Sequence, residues 1–163
     1  MMKLFVSLVL LSCCLAAIAR SSGPDTSANN LYHVALAAYL EKRNEMYEGN
    51  ADLRKRDYLN VFVEQDIFLT EGLPTSIGRN KVEYLDYEAR IQTFKKLRGE
   101  FTLVVVRPMK NVGDKLVVSF GEYLWRHNKN SSNYALSGGA LVYLKSDCEN
   151  HRFVVDGVEL GGV

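Results

Sequence analysis

Residues 101–160 hold four segments whose apolar residues recur with a period of two, and this pattern constrains the fold more than any other feature of the chain. Phe101–Met109 is built around Val104-Val105-Val106. Lys115–His127 sets Leu116, Val118, Phe120 and Leu124 against Val117, Ser119, Tyr123 and Trp125, and Tyr134–Lys145 and His151–Leu160 follow. Side chains of an extended chain point alternately to two faces, so such segments form strands. The connections are short: Asn111–Asp114 around Gly113, the polar run Asn128–Asn133, and Asp147–Asn150. Short turns join antiparallel neighbours, so this half of the chain reads as an antiparallel meander. Both faces of Lys115–His127 are partly apolar, which places that strand centrally with cover on both sides. Gly138-Gly139 interrupts the next strand and predicts a bulge or a sharp bend.

Before Gly99 the spacing is helical. Leu31, Val34, Ala35, Ala38 and Tyr39 share a face of a helix over Leu31–Glu48, interrupted by Lys42 and Glu45 and stopped at Gly49-Asn50. Asp52 is expected to cap a second helix with Leu59 and Phe62 inward, and Arg54-Lys55-Arg56 reads as its solvated face rather than a processing signal. Asp66–Thr70 is expected as a short strand and Gly72–Gly78, with Pro74, as a loop. Asn80 followed by Glu83 suggests the cap of a third helix carrying Tyr84, Tyr87, Ile91 and Phe94 on one stripe to Gly99. Helices segregated from a meandering sheet make an α+β fold, the sheet strongly curved around the third helix.

The first 19 residues differ in kind. Lys3 precedes an apolar run from Leu4 to Ala19, and Ala17-Ile18-Ala19 fits a small-x-small cleavage site. Residues 1–19 therefore read as a signal peptide, 20–30 as a flexible leader and 31–163 as one domain. A membrane span is the alternative, but the run is short for one and has no basic cluster on its far side. Leu10-Leu11-Ser12-Cys13 also loosely matches a lipoprotein signal. Lys3 is the only charge in the segment, so its loss turns 20 basic and 19 acidic residues into 19 of each, without the basic excess a nucleic-acid binder needs. Cys13 and Cys14 leave with it, and Cys148 alone cannot close an internal disulfide. Asn130-Ser131-Ser132 is a glycosylation sequon placed in a polar loop. The sequence accordingly predicts a secreted protein with no membrane span after cleavage.

The segment Phe62-Val63-Glu64-Gln65-Asp66-Ile67-Phe68-Leu69-Thr70-Glu71-Gly72-Leu73-Pro74, followed by Gly78-Arg79, resembles the nuclear transport factor two-like superfamily. That group includes ketosteroid isomerase, the polyketide cyclases and scytalone dehydratase. Gly113-Asp114-Lys115-Leu116-Val117-Val118 and Phe153-Val154-Val155-Asp156 extend the resemblance into the sheet half. It implies a cone-shaped, curved antiparallel sheet wrapped around N-terminal helices, as in the cystatin-like folds. It also implies, for isomerase-like members, a carboxylate near the end of the first strand acting as a base, partly desolvated so that its pKa approaches the working pH. Glu71 and Asp66 are the residues nearest to that position, and Tyr39 and Tyr47 lie on the helix that carries the oxyanion tyrosine without falling in its register.

The residues themselves supply no complete catalytic set. There is no Gly-x-Ser-x-Gly elbow, no phosphate-cradling glycine loop, and His33, His127 and His151 are too scattered for a zinc site. No metal or cofactor is therefore expected. The first reading is a secreted domain that binds an apolar small molecule in the cone, lined from Tyr84, Tyr87, Phe120, Tyr123, Trp125 and Tyr143. The alternatives are an isomerase or lyase acting on a carbonyl compound through Glu71 or Asp66, and a non-catalytic protein forming a homodimer through its sheet face.

Overall fold

The computed structural model describes residues 28–53, 57–129 and 131–162. The segments expected as signal peptide and most of the leader, Arg54-Lys55-Arg56 and the sequon residue Asn130 lie outside the described residues. Helix α1 (Ala28–Gly49) is followed by strands β1 (Asn60–Glu64), β2 (Ser76–Ile77) and β3 (Asn80–Leu85). Helix α2 (Tyr87–Leu97) comes next, then β4 (Phe101–Val106), β5 (Lys110–Val112), β6 (Lys115–Asn128), β7 (Ser131–Asp147) and β8 (Arg152–Gly162). The fold is α+β, with one curved, unclosed sheet ordered β2-β3-β1-β4-β6-β7-β8 and β5 paired to β6. The sheet is mixed rather than purely antiparallel, because β1 runs parallel to both β3 and β4. Two crossovers produce this: residues 65–79 return the chain from the end of β1 to the start of β3, and α2 carries it from β3 across β1 to β4, each leaving the strands it joins parallel.

Helix α1 starts at Ala28, three residues inside the expected leader, and packs on the face of the sheet we call inner. Its buried stripe is centred one residue later than the sequence suggests. Ala35, Leu36, Tyr39 and Leu40 are fully buried, while Leu31, Val34 and Ala38 are only partly so. They meet Val61, Val63, Val82, Val104, Val118, Phe120, Val142 and Leu144 in one core. The outer face has a second, smaller core under α2: Leu85, Phe101, Leu103, Val105 and Trp125, with Phe62 and Phe94 against it. Strand β6 thus does lie centrally with apolar cover on both faces.

Several expectations fail for local reasons. The expected second helix does not reach Leu59 and Phe62: the Asn50 side chain accepts from the backbone of Asp52 and Leu53, closing a turn, and Val61-Phe62-Val63 belongs to β1, with Phe62 and Val63 paired on both sides. Asp66–Thr70 is a turn, not a strand. Asp66 Oδ1 accepts from the amides of Phe68 (2.8 Å) and Leu69 (3.0 Å), and Thr70 hydrogen-bonds back to Asp66. The expected helix over 80–99 is a strand followed by a shorter helix, and its cap is Asp86, whose side chain accepts from Ala89 N at 2.7 Å. The helix ends where Arg98 enters the left-handed region at φ 57°. The loop expected at Asn128–Asn133 is mostly strand, with Arg126, His127 and Asn128 facing Asn133, Ser132 and Ser131.

The glycine pair behaves as expected. The β6–β7 register slips by one at Ser137, directly before Gly138, so that Glu122 faces Gly138 and Tyr123 faces Leu136. A side chain at Gly139 would come within 2.5 Å of the Phe120 carbonyl oxygen, so only glycine permits this approach of the two backbones.

Candidate functional site

Strands β1 and β4 pair at only two positions, Phe62 with Leu103 and Val63 with Val104. Toward their starts they part, and a cleft of about 600 Å³ opens there. Its inner-face wall is formed by Val61, Thr102, Val104 and Leu124, together with Tyr58 and the α1 residues Arg43 and Tyr47. Phe62, Phe101 and Leu97 bound it on the outer side, and its exposed lining is charged through Asp57, Lys81, Lys96 and Glu100.

At the closed end of this cleft the apolar packing of α1 gives way to a buried polar knot. The Tyr39 hydroxyl donates to Glu122 Oε1 at 2.5 Å, and Arg43 Nε lies 3.3 Å from the same oxygen. Arg43 also donates to the Tyr58 carbonyl (2.8 Å) and to the Tyr47 hydroxyl (3.4 Å), with its guanidinium 4.5 Å over the Tyr47 ring. The side chains of Arg43 and Glu122 are only 5% and 12% exposed, so each charge depends on the other. The Tyr39 ring stacks on Phe120 at 4.7 Å. Burial, reinforced by the Glu122 carboxylate, holds the Tyr39 hydroxyl well above the ordinary tyrosine pKa, so it is a fixed proton donor at neutral pH.

The sequence offers no clear carboxylate–tyrosine pair; the resemblance singles out Tyr39, but Glu122 is not among the carboxylates it points to. Glu71 is exposed beyond the turn and Asp66 spends its side chain capping it; neither borders the cleft. The six aromatic candidates are not gathered round one cavity. Phe120 and Tyr84 are on the inner face: Phe120 is core, and the Tyr84 hydroxyl donates to the Pro74 carbonyl, with burial pushing its pKa to about 12. Trp125 and Tyr123 are on the outer face, the first fully buried under Phe94 and Phe101, the second accepting from Arg107. Tyr87 opens α2 and is exposed beside Arg90. Tyr143, on the outer face of β7, donates to Glu159, which raises its pKa.

The sequence did contain the signal for the knot. Tyr39, Arg43 and Tyr47 recur at intervals of four along the buried stripe of α1. On β6, Glu122 breaks the inner series Leu116, Val118, Phe120, Leu124. A carboxylate in a row of core positions requires a partner, and a basic residue on a core-facing stripe is the complementary requirement.

No protein-family model, curated protein or solved structure matches this chain.

Proposed function

We propose that this chain is a secreted member of the nuclear transport factor two-like superfamily, and that its cleft binds a small, largely apolar molecule with a polar group at one end. The observation that carries the reading is the cleft where β1 and β4 part: at about 600 Å³ it has the size of a small-ligand site, with Val61, Val104 and Leu124 along one wall, Arg43 and Tyr47 at one end, and charged side chains along its exposed lining. The apolar body would lie along Val61, Val104 and Leu124, and the polar end would face Tyr47 and Arg43. The inner face beyond Tyr39 is filled by α1, so the binding place argued for is the open end of the sheet rather than the interior of a cone.

The test is ligand-induced thermal stabilisation across a panel of lipids and steroids, with wild type and Leu124→Trp compared. Leu124 is partly exposed on the cleft wall, and the larger ring takes up cleft space. A ligand above its Kd raises the unfolding midpoint by mass action. The reading requires that Leu124→Trp lose this rise while folding normally; an equal rise in both proteins places binding elsewhere.

A second reading, a homodimer through the outer sheet face, is favoured by Tyr134, Leu136 and Leu141, which are 45%, 53% and 37% exposed on that side of β7. Sedimentation of the purified protein separates it from the first, since a monomer at high concentration excludes it.

A further inference from the structure

The last turn of α2 and the end of β6 meet at one corner of the sheet. The Phe94 and His127 rings are 6.2 Å apart, and Glu100, which opens onto β4, is ion-paired to Arg126. Residues 94–100 and 126–129 hold Lys95, Lys96, Arg98, Arg126 and Lys129 against the single carboxylate of Glu100. All five basic residues are exposed. Arg126 neutralises Glu100, and the other four have no ion-pair partner among the described residues. The chain as a whole has 20 basic and 19 acidic residues, so positive charge is gathered at this corner rather than spread over the surface. The negative end of the α2 dipole favours Lys95 and Lys96 in its own last turn, but gives no account of Lys129 beyond β6.

The chemistry around these charges selects among polyanions. The rings of the two segments pack inward, Phe94 and His127 both lying against the fully buried Trp125. They form no platform on which the bases of a single-stranded nucleic acid could stack. Leu97, 46% exposed, is the only large apolar side chain these segments expose, too little to insert into a bilayer. A chain recognised by charge and hydrogen bonds alone fits better. A guanidinium meets two oxygens of one oxyanion, and lysine ammonium groups supply further donors to its neighbours along the chain.

We propose that the corner formed by the ends of α2 and β6 binds a sulfated polysaccharide through Lys95, Lys96, Arg98 and Lys129. The corner borders the cleft between β1 and β4 at Lys96, yet the proposal does not depend on what that cleft binds.

The experiment is a titration of the purified protein with a heparin oligosaccharide at physiological ionic strength. Hyaluronan supplies carboxylates without sulfate, duplex DNA supplies phosphates, and vesicles of phosphatidylcholine with phosphatidylserine supply an anionic bilayer. The expected result is saturable binding of heparin that weakens as salt rises, because exposed charges are screened over about 8 Å at 0.15 M. The other three polyanions bind at least tenfold more weakly. Lys95→Glu on α2 and Lys129→Glu beyond β6 each weaken heparin binding about fivefold. Lys110→Glu makes the same change of charge on exposed β5, which pairs with the opposite end of β6, and leaves the affinity unaltered. All three positions are on the surface, where substitution leaves folding intact. Absence of heparin binding overturns the proposal, as does an equal affinity for hyaluronan or an equal loss in Lys110→Glu. DNA or vesicles bound as tightly as heparin overturn it by assigning the corner to that partner. An unchanged affinity in Lys129→Glu overturns the joint surface of α2 and β6.

Discussion

Tyr39→Phe removes one oxygen atom from a fully buried ring and leaves the stack on Phe120 in place, so its cost isolates the bond to Glu122. A hydrogen bond to a charged acceptor contributes about 1.5–3 kcal/mol, and Glu122 keeps Arg43 after the change; the expected loss is therefore about 2 kcal/mol. Glu122→Gln preserves shape but strips the counter-charge from Arg43. Breaking a buried pair costs about 3–5 kcal/mol, and the low end applies, since Arg43 retains the Tyr58 carbonyl and the Tyr47 hydroxyl. With Gln at 122 the Tyr39 bond is neutral and contributes about 1 kcal/mol. The double variant is thus less destabilised than the sum of the singles, by about 1 kcal/mol.

Urea unfolding of the four proteins at pH 7 measures the cycle. The same series at alkaline pH gives an independent check with a definite sign. The folded state holds the Tyr39 proton more tightly than the unfolded state, so the contribution is complete below about pH 10, the unfolded tyrosine value, and is lost as pH rises toward the folded one. The gap between wild type and Tyr39→Phe must therefore narrow above about pH 10. If Tyr39→Phe is within about 0.5 kcal/mol of wild type, or the cycle is additive, the Tyr39–Glu122 contact has no energetic weight and the reasoning fails.

Gly139→Ala forces a methyl group to 2.5 Å from the Phe120 carbonyl and is expected to cost about 1–3 kcal/mol in urea, while Gly157→Ala, with open space around it, stays within about 0.5 kcal/mol. Equal midpoints for the two would refute the close β6–β7 approach. Asp156 is held by Lys115 and Lys145, which lower its pKa to about 2, so its contribution is present above about pH 4 and lost as pH falls toward the folded value. Asp156→Asn should flatten that stretch of the acid unfolding curve, and an unchanged slope counts against the lysine clamp. For the secretory reading, mass spectrometry of protein exported from a eukaryotic host should find an N-terminus at Arg20 and a glycosidase-sensitive mass at Asn130; intact Met1 in a membrane fraction would reject it.

The long strands were legible because alternation is a property of the pleat itself and needs no knowledge of the partner strand. Lys115–His127 is β6 to within a residue, and the bulge falls beside Gly138-Gly139 as the glycine pair implied. Residues 80–99 misled for a physical reason: Tyr84, Tyr87, Ile91 and Phe94 keep helical spacing across a junction. Only the first three turns of register after Asp86 are helix, and Tyr84 belongs to the alternation Asn80, Val82, Tyr84 on the inner face of β3. At Asp66–Thr70 the β-propensity of Ile67 and Phe68 was overridden by one side chain closing a turn, which leaves both residues 66% and 77% exposed. The candidate site was harder, because a polar residue on a core stripe looks like the edge of that stripe until its partner is known. Arg43 and Glu122 are 79 positions apart, and only the fold brings them together.

Stability alone does not explain why such a knot is kept. Replacing a buried charge pair with apolar side chains of the same volume is often neutral or stabilising, and the inner face around Tyr39 is already packed with Leu36, Leu40 and Phe120. The position of the knot is the informative feature. On one side of Glu122 the inner face of β6 is Phe120 and Val118, sealed by α1; on the other it is Leu124, on the wall of the open cleft. Arg43 belongs to both regions, buried at 4% exposure and yet part of the cleft lining. If the cleft is the ligand site proposed, an apolar replacement of Tyr39, Arg43 and Glu122 would preserve the packing of α1 while leaving the Tyr47 hydroxyl without the guanidinium beside it. Orientation needs a donor held in place, and the Arg43 guanidinium is fixed by a carboxylate, a backbone carbonyl and a tyrosine hydroxyl. On the proposed reading, the place of the pair is better accounted for by the cleft it borders than by the core it interrupts.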